Sequence, residues 1–252
     1  MILAILQARV SSTRLPGKVL KPILGRPMLW RQLERVLRVR NIDKLVVATS
    51  DRPEDRDVGA LCEAFDVECF FGSLDDVLDR FYQAAKRYNP VHVVRLTGDC
   101  PLSDPEVIER IIEFHLEGEY DYTSNTIEPT FPDGLCAEIM QYSCLQQAWQ
   151  EARLPSEREH VTPFIIKRPE RFKLGNFKGE EDLSALRWTV DEPEDFVLVT
   201  RIYEALYPQN PQFTMRDILD FLDKNPELIA INSAFERNEG YRKSLEQDPV
   251  GV

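Results

Sequence analysis

A loop with three cations, two isolated aspartates and one Arg-Glu-His triplet are the residues of this chain whose types and spacing could do chemistry. The loop is "QARVSSTRLPGKVL" (7–20), with Arg9, Arg14 and Lys18 around the single glycine Gly17. Six cations and no carboxylate fall within the first 33 residues, although the whole chain has 43 acidic residues against 31 basic ones. Neither GxxxxGK[ST] nor GxGxxG is present, so phosphate here would be held more by side chains than by a glycine cradle. The plain alternative is a solvated loop. "TGDCP" (97–101) and "LRWTVDEPEDF" (186–196) each set one aspartate, Asp99 or Asp191, just past an apolar run. Carboxylates opposite cations suit a metal–polyphosphate site, in which the carboxylates take Mg²⁺ and the cations take the oxygens the metal leaves uncovered.

Each of these groups also has an ordinary structural reading. Pro193 starts a helix, and a carboxylate in its first turn is worth about 0.3–1 kcal/mol against the helix dipole. That reading suffices for Glu192, Glu194 and Asp195; for Asp191 it competes with metal binding. "PSEREHVTPF" (155–164) offers Arg158, Glu159 and His160 as substrate contacts, while Ser156 and Glu159 also stand in capping-box spacing. Among the other histidines, His115 sits on an apolar helical stripe and His92 in a strand.

The elements that must position these residues alternate. ILAIL (2–6), KLVVAT (44–49), VECFF (67–71) and VHVVRL (91–96) are nearly continuous apolar runs, which predicts strands covered on both faces. Between them lie helical stripes at Leu29/Leu33/Val36/Leu37, Val58/Leu61/Cys62/Phe65, Val77/Leu78/Phe81/Ala85 and Val107/Ile108/Ile111/Ile112/His115. Asp104 and Pro105 predict the start of the fourth helix. The pattern is α/β with a mainly parallel sheet. "YDYTSN" (120–125) and "LCAEIMQ" (135–141) introduce a mixed-sheet insertion. Helices are predicted near 142–152, 156–167, 194–206 and 214–224, and late strands at "FKLGNF" and "ALRWTV". In an open sheet of order 3-2-1-4, the loops after the first and fourth strands meet at the switch point, bringing Arg9, Arg14 and Lys18 beside Thr97, Gly98 and Asp99.

The totals bound the rest. A chain of 252 residues can be one large domain, here 1–240 with an insertion at about 120–180 and a polar tail, 241–252, expected to be poorly ordered. A net charge of −12 argues against nucleic acid as a partner. Cys62, Cys69, Cys100, Cys136 and Cys144 are scattered, without metal-ligand spacing, and suit a reducing cytoplasm. The opening MILAIL reads as a strand and not a secretory leader, and no run is long enough for a membrane span.

Taken together, "LQARVSSTRLPGKVLKPILGRPML", "RLTGDCPLSDP" and "RWTVDEPEDF" resemble the cytidylyltransferase family that activates acidic sugars, whose members make CMP-3-deoxy-manno-octulosonate and CMP-sialic acids. "QAR", "REHVTPF" and "WTVDEPED" look most like its branch named for spore coat polysaccharide biosynthesis protein F, and the resemblance runs to about residue 225. It implies a Rossmann-like, GT-A-like three-layer nucleotidyltransferase fold, CTP and Mg²⁺, and a homodimer built through the insertion. By position, Arg9 and Lys18 fall where the family contacts triphosphate, with Ala8, Ser11, Ser12 and Arg14 in the same loop. Asp99 and Asp191 fall on its Mg²⁺ ligands, Arg80 on an arginine that reaches the nucleotide, and Thr97 and Gly98 against ribose or base. Cys136 stands where this branch carries an acid, and the sialate-type loop is absent. The implied reaction transfers CMP from CTP to an acidic sugar with release of pyrophosphate, Arg158, Glu159 and His160 being the sugar-side candidates. A UDP- or dTDP-sugar pyrophosphorylase would want a full G-G-x-G-T-R-L loop, and a glycosyltransferase a D-x-D. A non-catalytic nucleotide-binding homologue is the other alternative.

Overall fold

The computed structural model of the chain describes residues 1–249. In chain order its strands are β1 (Ile2–Gln7), β2 (Pro22–Ile23), β3 (Arg26–Pro27), β4 (Lys44–Ser50), β5 (Glu68–Gly72), β6 (His92–Thr97), β7 (Tyr122–Ser124), β8 (Glu138–Gln141) and β9 (Leu174–Asn176). Its helices are α1 (Met28–Val36), α2 (Arg56–Glu63), α3 (Val77–Lys86), α4 (Pro105–Glu117), α5 (Tyr142–Glu151), α6 (Pro155–His160), α7 (Pro163–Ile166), α8 (Pro193–Leu206), α9 (Met215–Lys224) and α10 (Glu239–Leu245). Seven strands form one sheet in the order β5-β4-β1-β6-β8-β7-β9, and β2 and β3 make a separate small hairpin. β1 is parallel to both β4 and β6, β4 to β5, and β7 to β9, whereas β8 runs antiparallel to β6 and β7. The first four predicted strands therefore stand in the expected 3-2-1-4 order, and the insertion supplies the mixed part.

The nearly continuous apolar strands are buried because helices cover both faces of the sheet. One core, on the face of α1, α2, α4, α8 and α9, includes Leu6, Ala8, Val19, Val94, Leu96 and Val190. The other, on the face of α3, α5 and α7, includes Leu3, Ile5, Phe81, Val93, Tyr122 and Phe164. Alternate residues of β1 and β6 thus feed opposite cores, each buried aliphatic side chain contributing about 1.5–3 kcal/mol. Asp104 caps α4 as expected, accepting from the Glu106 and Val107 amides at 2.9 and 3.4 Å. His115 is a core residue, bonded to Thr123 Oγ1 at 3.0 Å and His92 at 3.1 Å; burial, then His92, pushes its pKa down to about 4.

Four sequence expectations are corrected. "ALRWTV" is not a sheet strand: only Arg187 makes a bridge, to Asp133. The amides of Trp188 and Thr189 both donate to the Asp133 carbonyl, and that of Val190 to the Asp99 carbonyl, so the segment is pinned by loops and has no ladder to join. The helix expected over 156–167 is two short ones, because Val161 takes φ 72° and Thr162 precedes Pro163, which disfavours helical backbone before it. The Ser156–Glu159 capping box is displaced by two residues: Glu157 reaches back to the Arg153 and Leu154 amides, and Ser156 instead donates twice to Asp248. The tail expected from residue 241 forms most of α10, with Ser244 buried; residues 250–252 lie outside the described residues.

Candidate active site

β1 and β6 end side by side, with Gln7 in register with Thr97. The Gly98 amide donates to the Gln7 carbonyl at 2.6 Å, and a Cβ on Gly98 would lie 2.9 Å from both that oxygen and Ala8 Cβ. Only glycine permits this approach, so Gly98 sets how close the two loops come. Ala8 is tied to the neighbouring strand by its amide, which donates to the Ala48 carbonyl at 3.1 Å. The fully buried Asp55 holds the next turn, accepting from the Val10 amide at 2.6 Å and from the Ser50 hydroxyl and amide. Gly17, at φ 68°, then lets the chain turn back, its amide donating to Val10 O.

That turn delivers Lys18 into a nearly closed position, 9% exposed. Its Nζ donates to Val190 O at 2.7 Å and Asp191 Oδ1 at 2.8 Å, and lies 3.6 Å from Asp99 Oδ2. Burial alone would lower the Lys18 pKa, but Asp99 and Asp191 outweigh it and hold it above its ordinary value. Burial likewise opposes ionisation of Asp99, yet Lys18 and the Thr97 hydroxyl, which donates at 2.5 Å, leave it below the usual carboxylate range. The two aspartates, expected to share a metal ion, thus converge on one ammonium. Arg14 reaches the same cluster, 2.9 Å from Asp191, 3.3 Å from Glu192 and 2.9 Å from Glu239.

Residues to which the sequence assigned no functional role hold this geometry. Asp195, fully buried, accepts from the Asp191 and Glu192 amides at 2.9 Å each while its two oxygens take the Arg187 fork at 2.8 Å and Asn232 at 2.8 Å. It is the first-turn carboxylate expected of α8, and it also fixes the backbone of Asp191. Gln32 donates to the Thr97 carbonyl at 2.8 Å. A polar residue on an apolar helical stripe was the available signal for Gln32; for Asp55 and Asn232 there was none.

Across the sheet toward β5, Arg80 is fully buried, and Gly72 makes room for it, its missing Cβ lying 3.1 Å from Arg80 Cγ. One amino nitrogen of Arg80 donates to the carbonyls of Ser73 and Leu74, while its Nε and the other amino nitrogen are buried without partners. Burial, then the nearby half-buried Arg9, pulls its pKa down to about 10. Two cations thus stand close enough to repel each other, and two donors of Arg80 have no partner. Ser11 adds a buried, unpartnered hydroxyl, and Ser12 is partly exposed in the same loop.

The sugar-side triplet is differently placed. Arg158, expected as a substrate contact, is committed to Asp76, the cap of α3, through a forked ion pair, and donates to Trp149 O at 2.8 Å. Glu159 and His160 lie under α10. The single proton of Ser244 Oγ serves acceptors, Glu159 at 2.5 Å and Gly240 O at 3.1 Å, so His160 Nε2 donates to that hydroxyl at 2.9 Å. Burial, with Arg95 and Arg9 nearby, keeps His160 below its ordinary pKa. Cys136 approaches Asp133 and Arg237. Among the described residues, no group of three or more His, Cys, Asp or Glu side chains is arranged to hold a metal, and no helix is long and apolar enough to cross a membrane.

A family model described as Cytidylyltransferase matches residues 3–236. An uncharacterized protein of Methanocaldococcus jannaschii is 39% identical over 96% of this chain and 98% of its own length, and spore coat polysaccharide biosynthesis protein SpsF of Bacillus subtilis is 33% identical over 90% and 95%. 3-deoxy-manno-octulosonate cytidylyltransferase of Zea mays is 38% identical over 43% of this chain and 36% of its own. The solved structure of a cytidylyltransferase from Leptospira borgpetersenii superposes with a TM-score of 0.86 at 33% identity, covering 90% of this chain and 96% of that one.

Proposed function

Because this chain belongs to the cytidylyltransferase family, we propose that it transfers CMP from CTP to the anomeric hydroxyl of an acidic, 2-keto-3-deoxy sugar and releases pyrophosphate, for a surface polysaccharide or glycan. The observation that carries the reading is the convergence of Asp99 and Asp191 on the Lys18 ammonium where β1 and β6 end. The names of the Bacillus subtilis and Zea mays relatives support the polysaccharide and the acidic sugar.

Mg²⁺ fits the donor set: it is commonly held by one or two carboxylates with phosphate and water completing the shell, and two carboxylates already share one cation here. Asp99 and Asp191 would hold it, and when bound it would supply charge neutralisation at the phosphates. The remaining work is positioning and electrostatics, so the chain needs no covalent nucleophile. Lys18 and Arg9 stabilise the departing pyrophosphate. Arg80 offers its open donors to the nucleotide, and Ala8, Ser11, Ser12, Arg14, Thr97 and Gly98 line its path. Glu159 and His160 stand on the sugar side, with Arg158 fixing α3 against the end of α5. A cytoplasmic enzyme suits the five free cysteines. A homodimer through the insertion suits the short edge strand β9, and sedimentation tests it.

The direct test incubates the protein with Mg²⁺, each nucleoside triphosphate and a panel of 2-keto-3-deoxy sugar acids, 3-deoxy-manno-octulosonate among them. Pyrophosphate release is expected only with CTP and an acid. Equal release with UTP or dTTP, or with neutral hexoses, would overturn the reading.

A further inference from the structure

One ion pair inside the sheet is used by nothing described so far. Arg95 of β6 and Glu138 of β8 face each other across the antiparallel register, with side chains 14% and 9% exposed, and Arg95 donates to Glu138 Oε2 through one amino nitrogen. Glu138 Oε1 accepts from the Tyr122 hydroxyl at 2.5 Å and from Thr162 Oγ1 at 2.8 Å. Both oxygens of the carboxylate are therefore occupied, and Glu138 is an aiming device with no base capacity to spare. The Nε of Arg95 is buried without a partner. A buried ion pair of this kind can usually be replaced by apolar residues at no loss of stability, so its presence calls for a use other than holding the fold together.

Position supplies that use. Arg80 lies at the β5 end of the sheet, the cationic loop follows β1, Asp99 follows β6, and the Arg95–Glu138 pair is next along, between β6 and β8. The two faces also differ. Val19 and Val190, which flank Lys18 and Asp191, belong to the core under α1 and α8. Arg95 alternates with Val94 and Leu96 of that core and so points to the other one, with its guanidinium 5.8 Å from the Phe81 ring. In-line displacement requires the attacking hydroxyl and the leaving pyrophosphate on opposite sides of the phosphorus. With Lys18 on one face, the face of Arg95, where His160 also ends α6 and Arg9 lies near both His160 and Arg80, is the one left for the acceptor.

We propose that Arg95, aimed by Glu138, binds the carboxylate of the acceptor sugar on the side of the sheet opposite Lys18. This rests on the reading that the acceptor is an acidic sugar. Arg95 supplies recognition and orientation; the hydroxyl attack and pyrophosphate departure are those of the proposed reaction.

The test compares the wild-type protein, Arg95→Met and the paired Arg95→Met/Glu138→Met, which leaves no stranded charge if the single variant fails to fold. Each is assayed with CTP and Mg²⁺ against 3-deoxy-manno-octulosonate, other 2-keto-3-deoxy acids and their C1 methyl esters. Loss of a charged hydrogen bond should raise the KM for the acid roughly 10- to 100-fold while the KM for CTP stays unchanged and the preference for acid over ester disappears. A folded variant that keeps the wild-type acceptor KM, or loses CTP and acceptor together, overturns the assignment. If the wild-type protein itself turns over no acid, the reading of the acceptor fails and this inference falls with it.

Discussion

At the scale of single residues, Lys18 is the group on which most depends. Its ammonium neutralises two carboxylates in the free protein and is the cation best placed for pyrophosphate. Lys18→Met should lower kcat/KM for CTP about 10²- to 10³-fold, the usual cost of removing one contact to developing charge, as read by pyrophosphate release. Asp99→Asn should reduce turnover by a similar factor while near-ultraviolet circular dichroism stays native. The pH dependence of stability follows from the same group. Asp99 is held below its ordinary pKa, so its contribution is present above the unfolded value and is lost as pH falls through the folded one. Lys18 is held above 10.5, so its contribution is present below that value and fades as pH rises through the folded one. Urea denaturation should show the wild-type protein losing more stability than Lys18→Met when pH is taken from 7 to below about 4.

At the scale of elements, most of the scaffold was legible and most of the bracing was not. Continuous apolar strands and 3.6-residue stripes report burial on one or two faces, and burial is what lays β1 next to β6. The cation loop and Asp99 could be placed together from that order alone. "ALRWTV" misled because alternation of size and polarity records which side chains are buried, not which partner takes the amides; here loops took them. Asp195 looked like a helix-start carboxylate, and it is one, but its partners Arg187 and Asn232 come from residues whose proximity only the fold creates. Asp195→Ala would strand the buried Arg187 and release the Asp191 amide, so a loss of about 3–5 kcal/mol in urea denaturation is expected, together with weaker turnover. Gly134 is similarly hidden: at φ 114°, with its absent Cβ 2.4 Å from Thr189 N, Gly134→Ala should lower the melting temperature and disturb the Asp99–Val190 contact.

At the scale of the whole molecule, a net charge of −12 surrounds the cations Arg9, Arg14, Lys18 and Arg80, so an anion meets attraction only close to them. α10 reaches this cluster through Glu239. It is fastened at one end by Arg14 to Glu239 and at the other by His160 to Ser244, while just beyond the helix Ser156 bonds Asp248. Every one of these fastenings is polar, and the partly exposed Arg14–Glu239 ion pair is worth about 0–1 kcal/mol. Salt at 1 M shortens electrostatic reach to about 3 Å, and in the proposed reaction a triphosphate would compete with Glu239 for Arg14. Hydrogen exchange in α10 should therefore quicken with ionic strength and again with CTP, while the strands beneath stay protected. The last helix would then work as a salt-tuned tether on Arg14: dilute buffer would hold that cation on Glu239 and slow nucleotide binding, and moderate salt would free it, the reverse of what simple attraction between a cationic loop and a nucleotide would give.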